Sequence, residues 1–277
     1  MTMLGGCVLN APDISSRTGN FSITIGGISC TIESSDARFL NLLRERYHNF
    51  ETTGLGSYGI LLNVVTREKL AMENTSQSFY PTVRRVSPDN YIMSQAFNPF
   101  VAVFNAASRK ALVKMTEDHH CFDGFMRMFF TLILVEKKGL LLRASAIRDG
   151  DGSVSLGLSR NGKTNMPLSD DMVIIKPHNG GYRVYGTPFA GDFSARQSGG
   201  IYATLDKIYS LSEDSSNSPV SMDKTKAAKE IYECVAFFSD DSRLLNQMHD
   251  ICQAVAGSVP VYELRFVSGH PLRQLVG

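Results

Sequence analysis

The sequence lacks the features that mark several common classes of protein. Its net charge is +1, so no overall charge attracts it to nucleic acid or to an anionic membrane. The longest largely apolar run, residues 129–135, is much shorter than the roughly 20 residues that cross a bilayer. The first residues, MTMLGGC, include neither the basic region nor the apolar stretch of a secretory signal. We therefore expect a cytoplasmic protein that binds neither nucleic acid nor membranes.

The cysteines do not form the pattern of a disulfide framework or a zinc site. They are few, odd in number and widely spaced, which is typical of reduced thiols: Cys7, Cys30, Cys121, Cys234 and Cys252. Residues 118–121, Asp-His-His-Cys, gather four metal-ligating side chains in one short run. Adjacent residues point in different directions on a helix or a strand, so we do not expect this run to bind a metal.

What the sequence does contain is an ordinary globular composition. Of its 277 residues, 43% are hydrophobic and 20% are charged, which suits one large domain or two modest ones. No internal repeat of solenoid period is present. We predict a small N-terminal α+β module over residues 1–120 and a second domain over residues 121–277.

Local patterns predict the elements of the first module. Residues 21–25 and 28–32 alternate in polarity on either side of Gly26-Gly27, which predicts a β-hairpin. Asp36 lies where it can cap a helix whose apolar residues recur at helical spacing from Phe39 onward. Further strands are predicted at residues 60–65, 100–104 and 111–115, the last two as a hairpin. Residues 1–20 and 66–90 are polar and weakly patterned.

The second domain alternates predicted helices and strands. A dense apolar run at residues 122–136 predicts a buried helix that ends at Gly139. Predicted strands follow at residues 140–147, 154–156, 172–175, 182–185, 201–211 and 259–267, and predicted helices at residues 223–235 and 240–255. Residues 193–200 and 212–222 are polar and show no periodicity.

One stretch of the second domain has a recognisable chemical pattern. Residues 157–164, GLSRNGKT, fit G-x-x-x-x-G-K-[ST], in which glycines allow backbone N–H groups to surround a phosphate. In that pattern Lys163 adds a positive charge at the outer phosphates and the Thr164 hydroxyl reaches Mg²⁺. Asp170 and Asp171 follow at the start of an apolar run, and carboxylates there can bind the metal or accept a proton from an attacking hydroxyl.

Two further features of this region affect the interpretation. Only four residues, Asn-Met-Pro-Leu, separate Thr164 from Ser169, so at most about one helical turn fits after the loop. A longer helix usually follows a phosphate loop, because its N-terminal dipole stabilises the anion. Farther on, residues 186–192 combine two glycines, a proline and the terminal carboxylate of Asp192, a composition that suits a loop forming part of a site.

Taken in order, these residues resemble the HPr kinase/phosphorylase-like family, which shares its nucleotide-binding core with phosphoenolpyruvate carboxykinase. The most similar members are small HPr-kinase-like proteins of peptide-modification cassettes. The matching pieces are LLLRASAI at 140–147, the loop at 157–164, SDD at 169–171, VYGTPFAGD at 184–192 and VPVYELRF at 259–266. The resemblance covers most of residues 21–267 and is specific at 157–164 and 184–192. It implies an α+β or α/β fold, in which a P-loop kinase domain with a mixed sheet follows the N-terminal α+β module.

The resemblance also implies a role for each matching residue. ATP would be bound by Gly157, Ser159, Asn161, Gly162, Lys163 and Thr164, and Mg²⁺ by Thr164, Asp171 and Asp192. Asp170 and Asp171 would share the metal-ligand and general-base roles, with either order open. The family usually has a histidine at the position of Arg143. An arginine can bind a phosphate but cannot act as a base.

The sequence is compatible with three functions. The first is a kinase that transfers the γ-phosphoryl group of ATP to a serine-type hydroxyl of a peptide or small protein. The second is a degenerate, non-catalytic module that binds a peptide or a partner protein. The third is a small-molecule phosphotransferase or a carboxykinase-type enzyme; the short chain argues against a full carboxykinase. By the same resemblance, copies of the chain can assemble into a homo-oligomer.

Overall fold

The computed structural model describes residues 2–4, 7–9, 19–73, 80–148, 152–158, 172–189, 202–213 and 218–266. These residues form a mixed α+β protein that divides into two compact units. The N-terminal unit comprises residues 1–129 and 238–241, and the C-terminal unit comprises residues 130–237 and 242–277. The boundary falls within one long helix, α3 (His119–Glu136).

The N-terminal unit consists mainly of strands. Its strands are β1 (Thr2–Leu4), β2 (Cys7–Leu9), β3 (Gly19–Ile25), β4 (Ile28–Ser34), β5 (Glu51–Thr52), β6 (Tyr58–Val64), β7 (Thr82–Ser87), β8 (Asn90–Gln95), β9 (Phe100–Asn105) and β10 (Lys110–Met115). Its helices are α1 (Ala37–Arg46), α2 (Arg67–Glu73) and the start of α3, with a short 3₁₀ turn at His48–Phe50. Eight strands form one sheet in the order β5-β3-β4-β6-β10-β9-β8-β7, in which β6 is parallel to both neighbours.

Several local predictions for this unit are confirmed. Strands β3 and β4 form the expected antiparallel hairpin, and Gly26 and Gly27 take φ values of 57° and 70° in its two-residue turn. Positive φ at both turn positions matches the right-handed twist of the strands and favours glycine. Helix α1 begins after Asp36, whose carboxylate accepts a hydrogen bond of 2.9 Å from the Phe39 amide. Strands β9 and β10 form the second expected hairpin.

A buried ion pair lies between α1 and α3 within the N-terminal unit. The Asp123 carboxylate is 3% exposed and accepts hydrogen bonds from the Arg46 guanidinium, with Nε at 3.1 and 3.0 Å from its two oxygens. The Tyr47 hydroxyl donates to the same carboxylate at 2.6 Å. Burial, followed by the negative charge of Asp123, raises the pKa of Tyr47 well above its usual value.

The C-terminal unit is built around a mixed sheet. Its strands are β11 (Leu140–Arg148), β12 (Val154–Leu158), β13 (Met172–His178), β14 (Gly181–Tyr185), β15 (Tyr202–Glu213), β16 (Ser218–Ser221) and β17 (Val261–Phe266), and its helices are the end of α3, α4 (Lys224–Glu233) and α5 (Ser242–Ser258). The order is β12-β11-β13-β14-β15-β17-β16, and β12 also pairs in parallel with β15. That extra pairing closes β12, β11, β13, β14 and β15 into a five-stranded barrel.

Two polar regions that showed no clear pattern in the sequence contain regular structure. Within residues 66–90 lie helix α2 and strand β7, and within residues 212–222 lies strand β16. Strands β7 and β16 are each at the edge of a sheet, and β16 exposes three of its four residues. Such strands depend on backbone pairing more than on a buried side-chain face, so their sequences need not alternate. Residues 193–200 lie outside the described residues.

None of the described helices is both long enough and apolar enough to cross a lipid bilayer.

Candidate functional site

Most of the residues predicted to bind ATP or Mg²⁺ fall in segments that the structure does not describe. These are Ser159, Asn161, Gly162, Lys163, Thr164, Asp170, Asp171 and Asp192. Gly157 and Arg143 are described, as are the strands that precede and follow the two segments containing the others. The geometry of the candidate site is therefore defined by those strand ends.

The residues directly before and after the segment 159–171 pair with consecutive residues of strand β11, one on each side of it. Its residue Ala144 pairs with Leu158, the last residue of β12, and its residue Arg143 pairs with Met172, the first residue of β13. With β11 between them and strands about 4.8 Å apart, Leu158 and Met172 are separated by about 10 Å. The strand that leads into the predicted phosphate loop and the strand that follows the predicted acidic pair therefore lie on opposite sides of β11.

The first residue of the motif is part of the barrel wall. Gly157 is buried in β12, where it pairs with Ser145 of β11 and with Tyr209 of β15. A phosphate loop joins a strand to a helix; β12 is such a strand, and the residues in which the helix would begin lie outside the described residues. Since β12 extends to Leu158, any turn around a phosphate has to start at residue 159 or later.

The segment that leads to Asp192 is attached to the same end of β13. Thr187 is 3% exposed, and its hydroxyl donates a hydrogen bond of 2.5 Å to the carbonyl oxygen of Met172. The Phe189 ring, 1% exposed, packs edge-on against Phe130 with the ring centroids 5.7 Å apart. These contacts fix residues 186–189 beside the residue that directly follows Asp171. Of the three segments predicted from the sequence, the described residues beside them, Leu158, Met172 and Thr187, are therefore linked through β11 and β13.

Arg143 lies at the centre of this arrangement and has a structural contact there. Its guanidinium Nη2 donates to the carbonyl oxygen of Glu233 at 3.0 Å, and its backbone N–H donates to the carbonyl oxygen of Cys234 at 2.9 Å. Both carbonyls belong to the C-terminal end of α4, where helices leave acceptors without internal partners. The buried Nε of Arg143 has no hydrogen-bond partner among the described residues. One guanidinium donor thus caps the C-terminal end of α4.

A surface of alternating cations and aromatic rings lies on β13, β14 and β15 and was missed in the sequence. The Arg183 guanidinium is 4.3 Å from the centroid of the Tyr202 ring, and the Lys176 ammonium is 5.0 Å from that of Tyr185. The two tyrosine rings are 6.0 Å apart, and Tyr202 is 55% exposed. Along the chain, Tyr185 lies shortly before the segment 190–201 and Tyr202 directly after it. These side chains lie on three different strands and become neighbours only when the strands pair, and the sequence alone does not reveal that pairing.

No protein-family model matches the chain, and no curated protein matches it in sequence. A function is therefore inferred from the motif residues and from the strands to which they are attached.

Proposed function

We propose that the chain is an ATP-dependent kinase of the HPr kinase/phosphorylase-like type. It would transfer the γ-phosphoryl group of ATP to a serine-type hydroxyl of a peptide or small protein. The observation that most supports this is the register of β11, in which Arg143 pairs with Met172 and the next residue, Ala144, pairs with Leu158. Phosphoryl transfer requires mainly correct placement and compensating charge. Strands paired with consecutive residues of β11 lead into the predicted phosphate loop and follow the predicted carboxylate pair, which supports the placement that this reaction needs.

The roles of the residues follow from their chemistry. Backbone N–H groups from Ser159 to Thr164 would surround the phosphates, and Lys163 would neutralise charge on the outer ones. The Thr164 hydroxyl and the carboxylates of Asp171 and Asp192 form a set of hard oxygen donors, which suits Mg²⁺. Mg²⁺, when bound, offsets the negative charge of the phosphates during transfer.

The acceptor side of the reaction depends on the acidic pair. Asp170 or Asp171 would accept the proton of the acceptor hydroxyl as its oxygen attacks the γ-phosphorus, with the other carboxylate on the metal. Arg143 pairs with Met172, the residue that follows Asp171. Its guanidinium is a cation that can stabilise charge on the transferred group through N–H donors other than the one that binds Glu233. The exposed face of Tyr202 offers a stacking surface for a nucleobase. We further propose a cytoplasmic location and, from the family resemblance, assembly as a homo-oligomer.

A specific observation favours the second candidate, a non-catalytic binding module. Arg143 replaces the histidine usual in the family, and its guanidinium holds the carbonyl oxygen of Glu233 at the end of α4. A residue in that role stabilises the fold whether or not phosphate is transferred. The two candidates differ in one measurable respect, because a degenerate module would not consume ATP.

Incubation of the full-length chain with Mg-ATP and a library of serine-containing peptides tests for kinase activity. We expect mass spectrometry to detect peptides that have gained one phosphate group, with ADP released in equal amount. Matched peptides with alanine in place of serine should remain unmodified. If no serine peptide is modified and no ADP is formed while Mg-ATP still binds, the non-catalytic module is the better description.

A further inference from the structure

The start of helix α3, in the N-terminal unit, brings three metal-ligating side chains together. The ligand atoms of Asp118, His119 and His120 all lie within 4.8 Å of one another. The two imidazole rings have centroids 4.0 Å apart and are tilted by 38°. The sequence-based expectation that such neighbours point apart is therefore wrong at this position.

The helix cap explains why the expectation fails. Asp118 precedes α3, and its carboxylate turns back over the first turn to accept a hydrogen bond of 2.8 Å from the His120 amide. The direction rule for adjacent residues applies to positions within a regular helix, whereas a cap residue has non-helical backbone angles. Its carboxylate is thereby brought toward the two imidazoles of the first turn.

The separation of the three ligand atoms is close to that of a metal site. Zinc bound to nitrogen and oxygen at about 2.1 Å in tetrahedral geometry keeps its ligand atoms about 3.4 Å apart. Small side-chain rotations bridge the difference from 4.8 Å, since Asp118 and His119 are half-buried and His120 is exposed. Cys121 is not part of the set, because its buried sulfur lies 3.2 Å from the Thr116 hydroxyl.

The surroundings provide space for a cation, and Asp118 itself provides the negative charge. Asp118 lines a cleft of about 930 Å³ together with Asn63, Thr116 and Glu117, which leaves room for water ligands. Asp123, one turn further along α3, places a second carboxylate near His119, but the nearby Arg46 charge outweighs it.

We propose that Asp118, His119 and His120 bind a late first-row divalent cation such as Zn²⁺, with water completing its coordination. Two imidazoles and one carboxylate are donors that favour Zn²⁺ over Mg²⁺. The site is separate in sequence from residues 157–192, so it stands whether or not the chain is a kinase.

Isothermal titration of tag-free, EDTA-treated, full-length protein with Zn²⁺ alone tests this site. We expect one Zn²⁺ per chain, and an affinity at least about 10-fold lower in the double variant His119→Ala/His120→Ala. Asp118→Asn retains a good helix cap but removes the anionic ligand, so it should also bind Zn²⁺ more weakly without loss of fold. His178→Ala, which removes a histidine from the C-terminal unit, should bind like the wild type.

Circular dichroism establishes that each variant is folded before titration. Absence of Zn²⁺ binding by the wild type would overturn the assignment. So would an unchanged affinity in the double variant and in Asp118→Asn, because the metal would then be bound elsewhere. Cobalt substitution gives a second readout, with visible absorption bands expected for the wild type and weakened in both variants.

Discussion

Replacing Lys163 with alanine is expected to lower kcat/KM for peptide phosphorylation by at least about 10²–10³-fold. The lysine charge is the element of the motif that interacts with the outer phosphates, and its contribution grows as charge develops during transfer. Steady-state assays with Mg-ATP and a serine peptide found in the library screen measure the effect. Lys224→Ala is a matched control, because Lys224 is exposed on α4 and the charge change is the same.

Comparable activity of the Lys163 and Lys224 variants would show that the phosphates are bound by other residues. Thermal melts of both proteins separate this outcome from a general loss of fold. A fall in activity in both variants, with unchanged melting temperature, would also contradict a specific role for Lys163.

Replacing Asp123 with alanine is expected to reduce the free energy of unfolding of the N-terminal unit by about 3–5 kcal/mol. The carboxylate is 3% exposed and accepts hydrogen bonds from both Arg46 and Tyr47. Its removal leaves a guanidinium and a hydroxyl in a largely buried position without their acceptor. Urea denaturation followed by far-UV circular dichroism measures the change, and the two units of the chain call for fitting two transitions.

Two companion variants make the Asp123 experiment specific. Asp123→Asn keeps the size of the side chain and one acceptor oxygen, so we expect an intermediate loss. Asp250→Ala removes a carboxylate from the exposed face of α5 and should change stability by less than about 0.5 kcal/mol. A loss of less than about 1 kcal/mol in Asp123→Ala would mean that the ion pair contributes little to this unit.

Features that depend on neighbouring residues could be predicted from the sequence. The β3–β4 hairpin follows from alternation around two glycines, and α1 follows from a cap residue before a helical apolar repeat. Features that depend on distant residues could not. The pairing of β12 with β15 closes the barrel through register alone, and Asp123 meets Arg46 across 77 positions of the chain.

The candidate site shows the same limit. The motif at 157–164 and the strand before it could be recognised because both are local patterns. Other features of the site depend on how the strands pair and could not be recognised. Leu158 and Met172 pair with consecutive residues of β11, and the Thr187 hydroxyl donates a hydrogen bond to Met172. The structural contact of Arg143 with Glu233 likewise joins residues 90 positions apart.

The central proposal is that residues 157–164 bind the phosphates of ATP, and calorimetry of the full-length chain with Mg-ATP tests it most directly. We expect one nucleotide per chain, an affinity at least about 10-fold lower in Lys163→Ala, and wild-type affinity in Lys224→Ala. No measurable binding by the wild type, or equal binding by the wild type and Lys163→Ala, would contradict it.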